Sequence, residues 1–113
     1  MSKKLQAPGK LQAHGRFWFT LDDKNFLGRG RVELLQRIAE TGSISQAAKA
    51  MKMSYKAAWD AVDAMNCAWG NPLVESNPGG SRLTPDAERL MMAYREAETK
   101  HHMLMAMLVE PLS

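Results

Sequence analysis

The sequence predicts a mainly α-helical fold with one small β-hairpin, on three observations. Apolar residues recur at three- and four-residue steps through four segments between residues 25 and 109. Residues that start or stop helices punctuate those segments at Gly42, Ser54 and Thr84. One turn cluster, Asn77-Pro78-Gly79-Gly80-Ser81, lies between two short strand-like runs.

In chain order, residues 1–15 read as a flexible basic tail of Lys, Gln, Pro and Gly with few apolar side chains. Residues 16–21 read as a short strand, with Phe17, Phe19 and Leu21 on one face and Trp18 and Thr20 on the other. A first helix starts between Asn25 and Gly30 and runs to about Thr41, with Val32, Leu35, Ile38 and Ala39 at helical spacing and Gly42 to close it. A short helix follows, about Ser45 to Met51, capped by Ser43 or Ser45 and rich in alanine. Lys52-Met53 form a tight turn. Ser54 caps a third helix, about Tyr55 to Ala68, whose apolar face is Ala58, Ala61, Val62 and Met65. Residues 73–76 and 82–84 make the hairpin. Thr84-Pro85-Asp86 opens the last helix, since Thr caps, Pro needs no amide partner in the first turn and Asp favours the positive end of the dipole. That helix runs to about Val109. Residues 16–113 thus form one domain.

At 113 residues the chain has room for one core but little spare stability, and such chains often borrow burial from a second subunit. No apolar run reaches the roughly 20 residues that span a bilayer, and the basic N-terminus lacks the apolar stretch of a signal peptide. The single cysteine, Cys67, excludes an internal disulfide framework and fits a reducing cytoplasm; it reads as semi-buried packing near the end of the third helix. Charge is uneven. Residues 1–31 carry seven Lys/Arg against Asp22 and Asp23, a balance of +5, whereas residues 85–113 carry three against five carboxylates, a balance of −2. A basic region of this kind can lie against phosphates.

The segment Thr41 to Met65, TGSISQAAKAMKMSYKAAWDAVDAM, carries the functional signal. Two helices joined by a turn of a few residues fit a helix-turn-helix or an ordinary helical hairpin. A groove-reading second helix must turn a thin apolar face to the core and its other face to base edges. Tyr55, Lys56, Trp59 and Asp60 fall where that outer face projects. The hairpin that follows, with Gly79-Gly80 at its tip and Arg82 behind it, has the layout of a wing whose Arg82 and backbone amides meet phosphates. An outward Trp59 is either a DNA reader or tucked against a neighbour. Asp60 and Asp63 repel phosphate unless they accept from cytosine or orient nearby cations. The expected DNA-contacting set is Ser43, Ser45, Gln46, Lys49, Ser54, Tyr55, Lys56, Trp59, Asp60, Gly79, Gly80 and Arg82.

The stretch GSISQAAKAMKMSYKAAWDAVDAMN closely resembles the DNA-binding domain of the ModE-type molybdate-responsive regulators, and more loosely the N-terminal domain of LysR-type regulators. Further matches fall at Leu73-Val74-Glu75, Gly79-Gly80 and Leu83-Thr84. The resemblance implies a winged helix-turn-helix that acts as a dimer on molybdenum-related genes, with Ser54, Tyr55, Lys56 and Trp59 facing DNA. Family members that sense molybdate do so in C-terminal oxyanion-binding domains, for which 113 residues leave no room. Either a stand-alone DNA-binding form, a separate sensor chain or a truncated chain is expected.

The last helix is the natural dimer element. Leu90, Met91, Tyr94, Ala97, His101, Leu104, Met105 and Leu108 form a stripe too long for so small a domain to bury alone. A two-fold homodimer on a palindromic operator is expected, with half-sites about one turn of duplex, roughly 34 Å, apart. His101-His102 near Met103, Met105 and Met107 is read as packing and not as a metal site, because residues 103, 105 and 107 point different ways on a helix. No nucleophile with a paired base, phosphate loop or dinucleotide motif is present, so neither an enzyme nor a cofactor is expected. The rival class is a winged-helix protein-interaction module, because Lys49, Lys52, Lys56 and Arg82 against Asp60, Asp63 and Glu75 leave residues 43–84 only +1.

Overall fold

The computed structural model describes residues 9–112. The elements are β1 (Phe19–Leu21), β2 (Lys24–Leu27), α1 (Arg29–Thr41), α2 (Ile44–Ala50), α3 (Tyr55–Trp69), β3 (Val74–Asn77), β4 (Gly80–Leu83) and α4 (Pro85–Val109), closed by a 3-10 turn at Glu110–Leu112. The expected order from α1 to α4 is present. The tail expected over residues 1–15 falls partly on residues 1–8, which lie outside the described residues.

The first departure is an extra strand. The sequence reading lets a helix begin as early as Asn25, but Lys24–Leu27 pairs antiparallel with β1. Asp22 and Asp23 make the two-residue turn, with φ of 50° and 64°. A two-residue hairpin loop needs positive φ at both positions, and aspartate tolerates it better than most residues. Gly28, in extended backbone, precedes α1.

Helix α1 buries Val32, Leu34, Leu35 and Ile38. Gly42 ends it at φ 70°, its N–H donating to the Ile38 carbonyl at 2.8 Å. The Ser43 hydroxyl accepts from the Gln46 N–H and starts α2. Ala47 and Ala48 are buried, and their small side chains let α2 lie close against α1. Lys52, at φ 56°, turns the chain into α3, where the Ser54 hydroxyl accepts from the Ala57 N–H at 3.0 Å. Ala58, Val62 and Met65 point into the core as expected.

Asn66 fixes where the chain goes next. Its side-chain oxygen accepts from the N–H groups of Leu73 (2.8 Å) and Val74 (3.3 Å). Leu73 and Val74 are buried, so the loop is held against the core before the hairpin begins. Strands β3 and β4 pair antiparallel, with Glu75 opposite Arg82 and Asn77 opposite Gly80. Gly80 stands at φ 136°, and a Cβ there would lie 2.7 Å from the Gly42 carbonyl oxygen. The Ser81 N–H donates to that same oxygen at 2.9 Å. Thr84 then returns the chain, its hydroxyl donating to the Pro72 carbonyl and accepting from the Ala87 N–H at the start of α4.

The stripe on α4 divides in two. Met91 and Tyr94, expected at a subunit interface, are buried inside the subunit. Phe17 stacks on Tyr94 with centroids 4.9 Å apart, and Phe19 meets it edge-on. Phe17, just before β1, and Phe19, within it, thus cover Tyr94, and Phe17 reaches on to His101 at 5.7 Å, contacts between distant parts of the chain that helical spacing does not reveal. Farther along, Leu104 and Leu108 are exposed, and Ala97, His101 and Met105 half-buried. Cys67 is exposed rather than semi-buried. Among the described residues no helix is long and apolar enough to cross a membrane.

The end of α3 is tied to the start of α4. The Trp69 indole N–H donates to Asp86 at 2.9 Å, and Arg89 also bonds that carboxylate. These two donors, Trp69 first, hold the Asp86 carboxyl below its usual 3.8. A depressed carboxyl adds stability above its unfolded-state value and loses it as pH falls through the folded-state value. The gap in melting temperature between the wild type and Asp86→Ala is therefore expected to stay constant from about pH 7 to 5 and to narrow as pH falls below about 4. Thermal melts followed by circular dichroism across that range check it.

The two wing glycines are expected to separate. Gly80→Ala combines strained φ with a clash against backbone and should cost on the order of 2 kcal/mol. Gly79→Ala meets only the Asn77 side-chain oxygen, at 3.1 Å, and should cost less, about 1 kcal/mol or under, by loosening that oxygen's bond to the Gly79 amide. Urea denaturation of both variants measures the difference.

Candidate nucleic-acid interface

The outward side of α3 is a surface of two paired couples. Tyr55 is 55% exposed and Trp59 37%, with their rings edge to face at 6.2 Å. One position on, the Lys56 ammonium donates to the Asp60 carboxylate at 2.8 Å. Both couples are spaced four residues apart, which places partners one above the other on a helix. Trp59 thus rests on Tyr55 of its own helix, with over a third of its surface open. Lys56 and Asp60 are both exposed, and this hydrogen bond holds the ammonium above its usual 10.5.

Helix α2 supplies the flank. Ser45, Gln46 and Lys49 are exposed, as is Lys52 in the turn. Among the described residues neither Lys49 nor Lys52 has an ion-pair partner, so both charges are open to solvent. Ser43 and Ser54 have their hydroxyl oxygens engaged as helix caps, and only their hydroxyl hydrogens remain to donate outward.

The wing differs from the expected arrangement at its tip. Gly80 faces the Gly42 carbonyl, and the amide of the neighbouring Ser81 is already bonded to that oxygen. The Gly79 amide donates to the Asn77 side chain at 2.8 Å. The tip amides of Gly79 and Ser81 are therefore used within the protein and are not free for phosphate. Arg82 remains, exposed and 3.7 Å from Glu75 across the hairpin. Asn66 and Thr84, absent from the expected contact set, fix the wing relative to α3 without facing outward. Asn66 sits in a stretch that the resemblance marks, but its role depends on a loop contact seven residues away.

Away from this face, a half-open cleft of about 790 Å³ lies between the segment before α1 and helix α4, lined by Arg16, Trp18, Arg29, Tyr94 and His101 among others. Its charges are partly satisfied, since Arg29 pairs with Glu98 and Arg31 donates to the Phe26 carbonyl. No group of three or more His, Cys, Asp or Glu among the described residues is placed to hold a metal ion.

Comparison with known proteins places this geometry. The chain is 48% identical over 77 residues to the molybdenum-pterin-binding protein MopB of Rhodobacter capsulatus, covering 64% of this chain and 28% of that protein. It is 47% identical over 83 residues to the transcriptional regulator ModE of Haemophilus influenzae, covering 68% and 32%. The chain spans about a third of the length of these curated relatives. Among solved structures, the DNA-bound DNA-binding domain of CbnR aligns with a TM-score of 0.56 at 21% identity, over 64% of this chain and 83% of that one. VV2_1132, a LysR family transcriptional regulator, aligns at 0.55 with 21% identity, over 63% and 24%. At such identity these structures show the fold, a winged helix-turn-helix. The family model for bacterial regulatory helix-turn-helix proteins of the lysR family matches residues 30–88, more than half of the chain. The chain belongs to the lysR family of bacterial regulatory helix-turn-helix proteins.

Proposed function

We propose that this chain acts as a dimeric, sequence-specific DNA-binding transcriptional regulator of molybdenum-related genes in the cytoplasm, with α3 in the major groove and the wing on the backbone. The observation that carries it is the open face of α3. Tyr55, Lys56 and Trp59 all project outward from its first two turns, flanked by the unpaired Lys49 and Lys52. An α-helix fits the major groove, and base-reading residues sit near its N-terminal half. Phosphate contacts then come from Lys49, Lys52 and Arg82. The link to molybdenum is supported by the names of the relatives, a ModE regulator and a molybdenum-pterin-binding protein.

The paired state of Lys56 and Arg82 favours a second reading, a protein-interaction module, because both cations already have a carboxylate. Fluorescence anisotropy with genomic duplexes from the organism that encodes the chain separates the two. For a DNA reader, Lys56→Ala combined with Arg82→Ala lowers affinity at least about tenfold and flattens the slope of log affinity against log salt by roughly one per bound subunit, the share of Arg82. Unchanged binding, or none by the wild type at low salt, overturns the DNA reading.

The dimer reading rests on the distal half of α4, where Met103, Leu104, Met107 and Leu108 are all at least half exposed. Covering one such side chain contributes about 1.5–3 kcal/mol, so several together can hold two subunits. In the proposed homodimer, two α3 helices read a palindromic operator. Leu104→Lys with Leu108→Lys is expected to shift the sedimentation coefficient from dimer to monomer while leaving the helical circular dichroism signal in place. A wild-type protein that sediments as a monomer at micromolar concentration contradicts this reading.

A further inference from the structure

We infer that Asp60 is a specificity-determining residue, which withholds the Lys56 ammonium from phosphate and with it addresses the major-groove edge of a G·C base pair. This rests on the reading of α3 as the recognition helix.

Lys56 and Asp60 lie on the outward face of the first two turns of α3, 84% and 66% exposed. Neither is bonded to another element. An exposed carboxylate is unfavourable on a surface that only seeks phosphate, because it repels the backbone and neutralises a cation. The wing repeats the arrangement, with Arg82 opposite Glu75. Lys56 and Arg82 therefore each have an acid at hand, Lys56 hydrogen-bonded to it and Arg82 only 3.7 Å from it, and backbone contacts fall to Lys49, Lys52 and Arg82.

The donor–acceptor order of the pair is specific. An ammonium has three donor hydrogens. One goes to Oδ2 of Asp60, at 2.8 Å, and two remain. Among the described residues Oδ1 of Asp60 has no partner. A G·C pair presents two acceptors, guanine N7 and O6, beside one donor, the cytosine amino group. The two remaining Lys56 hydrogens match the guanine acceptors, and Oδ1 matches the cytosine donor. An A·T pair fits less well. Adenine offers one acceptor and one donor, which leaves an ammonium hydrogen without a partner and thymine O4 near the carboxylate. The Tyr55–Trp59 couple, one position back, presents apolar ring edges suited to a thymine methyl.

The test is selection of bound duplexes from a random-sequence library with the wild-type chain. Binding of the selected duplex, its single-base-pair variants and a scrambled duplex is then measured for the wild type and Asp60→Asn across a salt series. The expected wild-type half-site contains a G·C pair whose replacement costs about tenfold or more. Asp60→Asn should bind scrambled duplex severalfold more tightly at low salt and steepen the salt slope by about 0.9 per subunit, as a freed Lys56 reaches phosphate. Its discrimination at that G·C pair should fall below about threefold. If Asp60→Asn keeps the wild-type profile at every position and the wild-type affinity for scrambled duplex, the inference fails while the proposed function stands. If the position that depends on Asp60 is an A·T pair, the inference fails as well. If no duplex is enriched, both readings fail together. Asp60 is exposed and caps nothing, and an unchanged melting curve for Asp60→Asn confirms that any change in binding comes from the surface.

Discussion

The Gly42 carbonyl oxygen sits where three parts of the domain meet, and the relative placement of the helix-turn-helix and the wing follows from it. Gly42 closes α1 in a left-handed turn, and that turn aims its carbonyl at the hairpin. Ser81 donates to it, and Gly80 lies so close that no side chain fits between. The corner that launches α2 is thereby joined to the wing, while Asn66 joins the wing's root to α3. With both ends fixed, α3 and the hairpin keep one geometry, as reading a rigid duplex requires. The contact uses backbone atoms on one side and a missing side chain on the other. It therefore depends on two glycines rather than on any apolar residue.

Local chemistry explains which parts were legible in the sequence. Ser54 and Thr84 cap helices through their own hydroxyls, Gly42 ends one through its own φ, and Ala58, Val62 and Met65 follow the helical period. Each of these signals acts within four residues, so the sequence displays it directly. The β1–β2 hairpin was missed because Asp22-Asp23 lacks the glycine that usually marks such a turn, and because Phe26 and Leu27 also suit a helix entry. Met91 and Tyr94 read as interface residues in the sequence because helical spacing says which face of α4 is apolar but not what covers it. Over Tyr94 the cover is Phe17 and Phe19, more than seventy residues earlier. Gly80 reads as a wing tip facing phosphate for the same reason, since its neighbour across space is Gly42. Cys67 was placed by its helix alone, and its side lies open to solvent.

The electrostatics of the face are economical. Lys49 and Lys52 carry unopposed charge at the rim, while Lys56 and Arg82 sit with carboxylates. Such a surface draws weakly on long-range attraction and more on local matching. In the proposed regulator the affinity of this face for an arbitrary duplex is then modest, because each neutralised phosphate contributes through released counterions and few cations of this face are free to neutralise one. Discrimination then depends on hydrogen-bond order at short range.

The division of α4 has a mechanical consequence. Its first half belongs to the subunit core, so in the proposed dimer the two rods cross only beyond Ala97. From Ala87 to the middle of the exposed half, near Leu104, is about 25 Å at 1.5 Å per residue. A change of roughly 8° in the crossing angle, shared between two arms of that length, alters the separation of the two reading heads by about 3.4 Å, the rise of one base pair. The spacing of half-sites that such a protein tolerates is then governed by a hinge well away from any base.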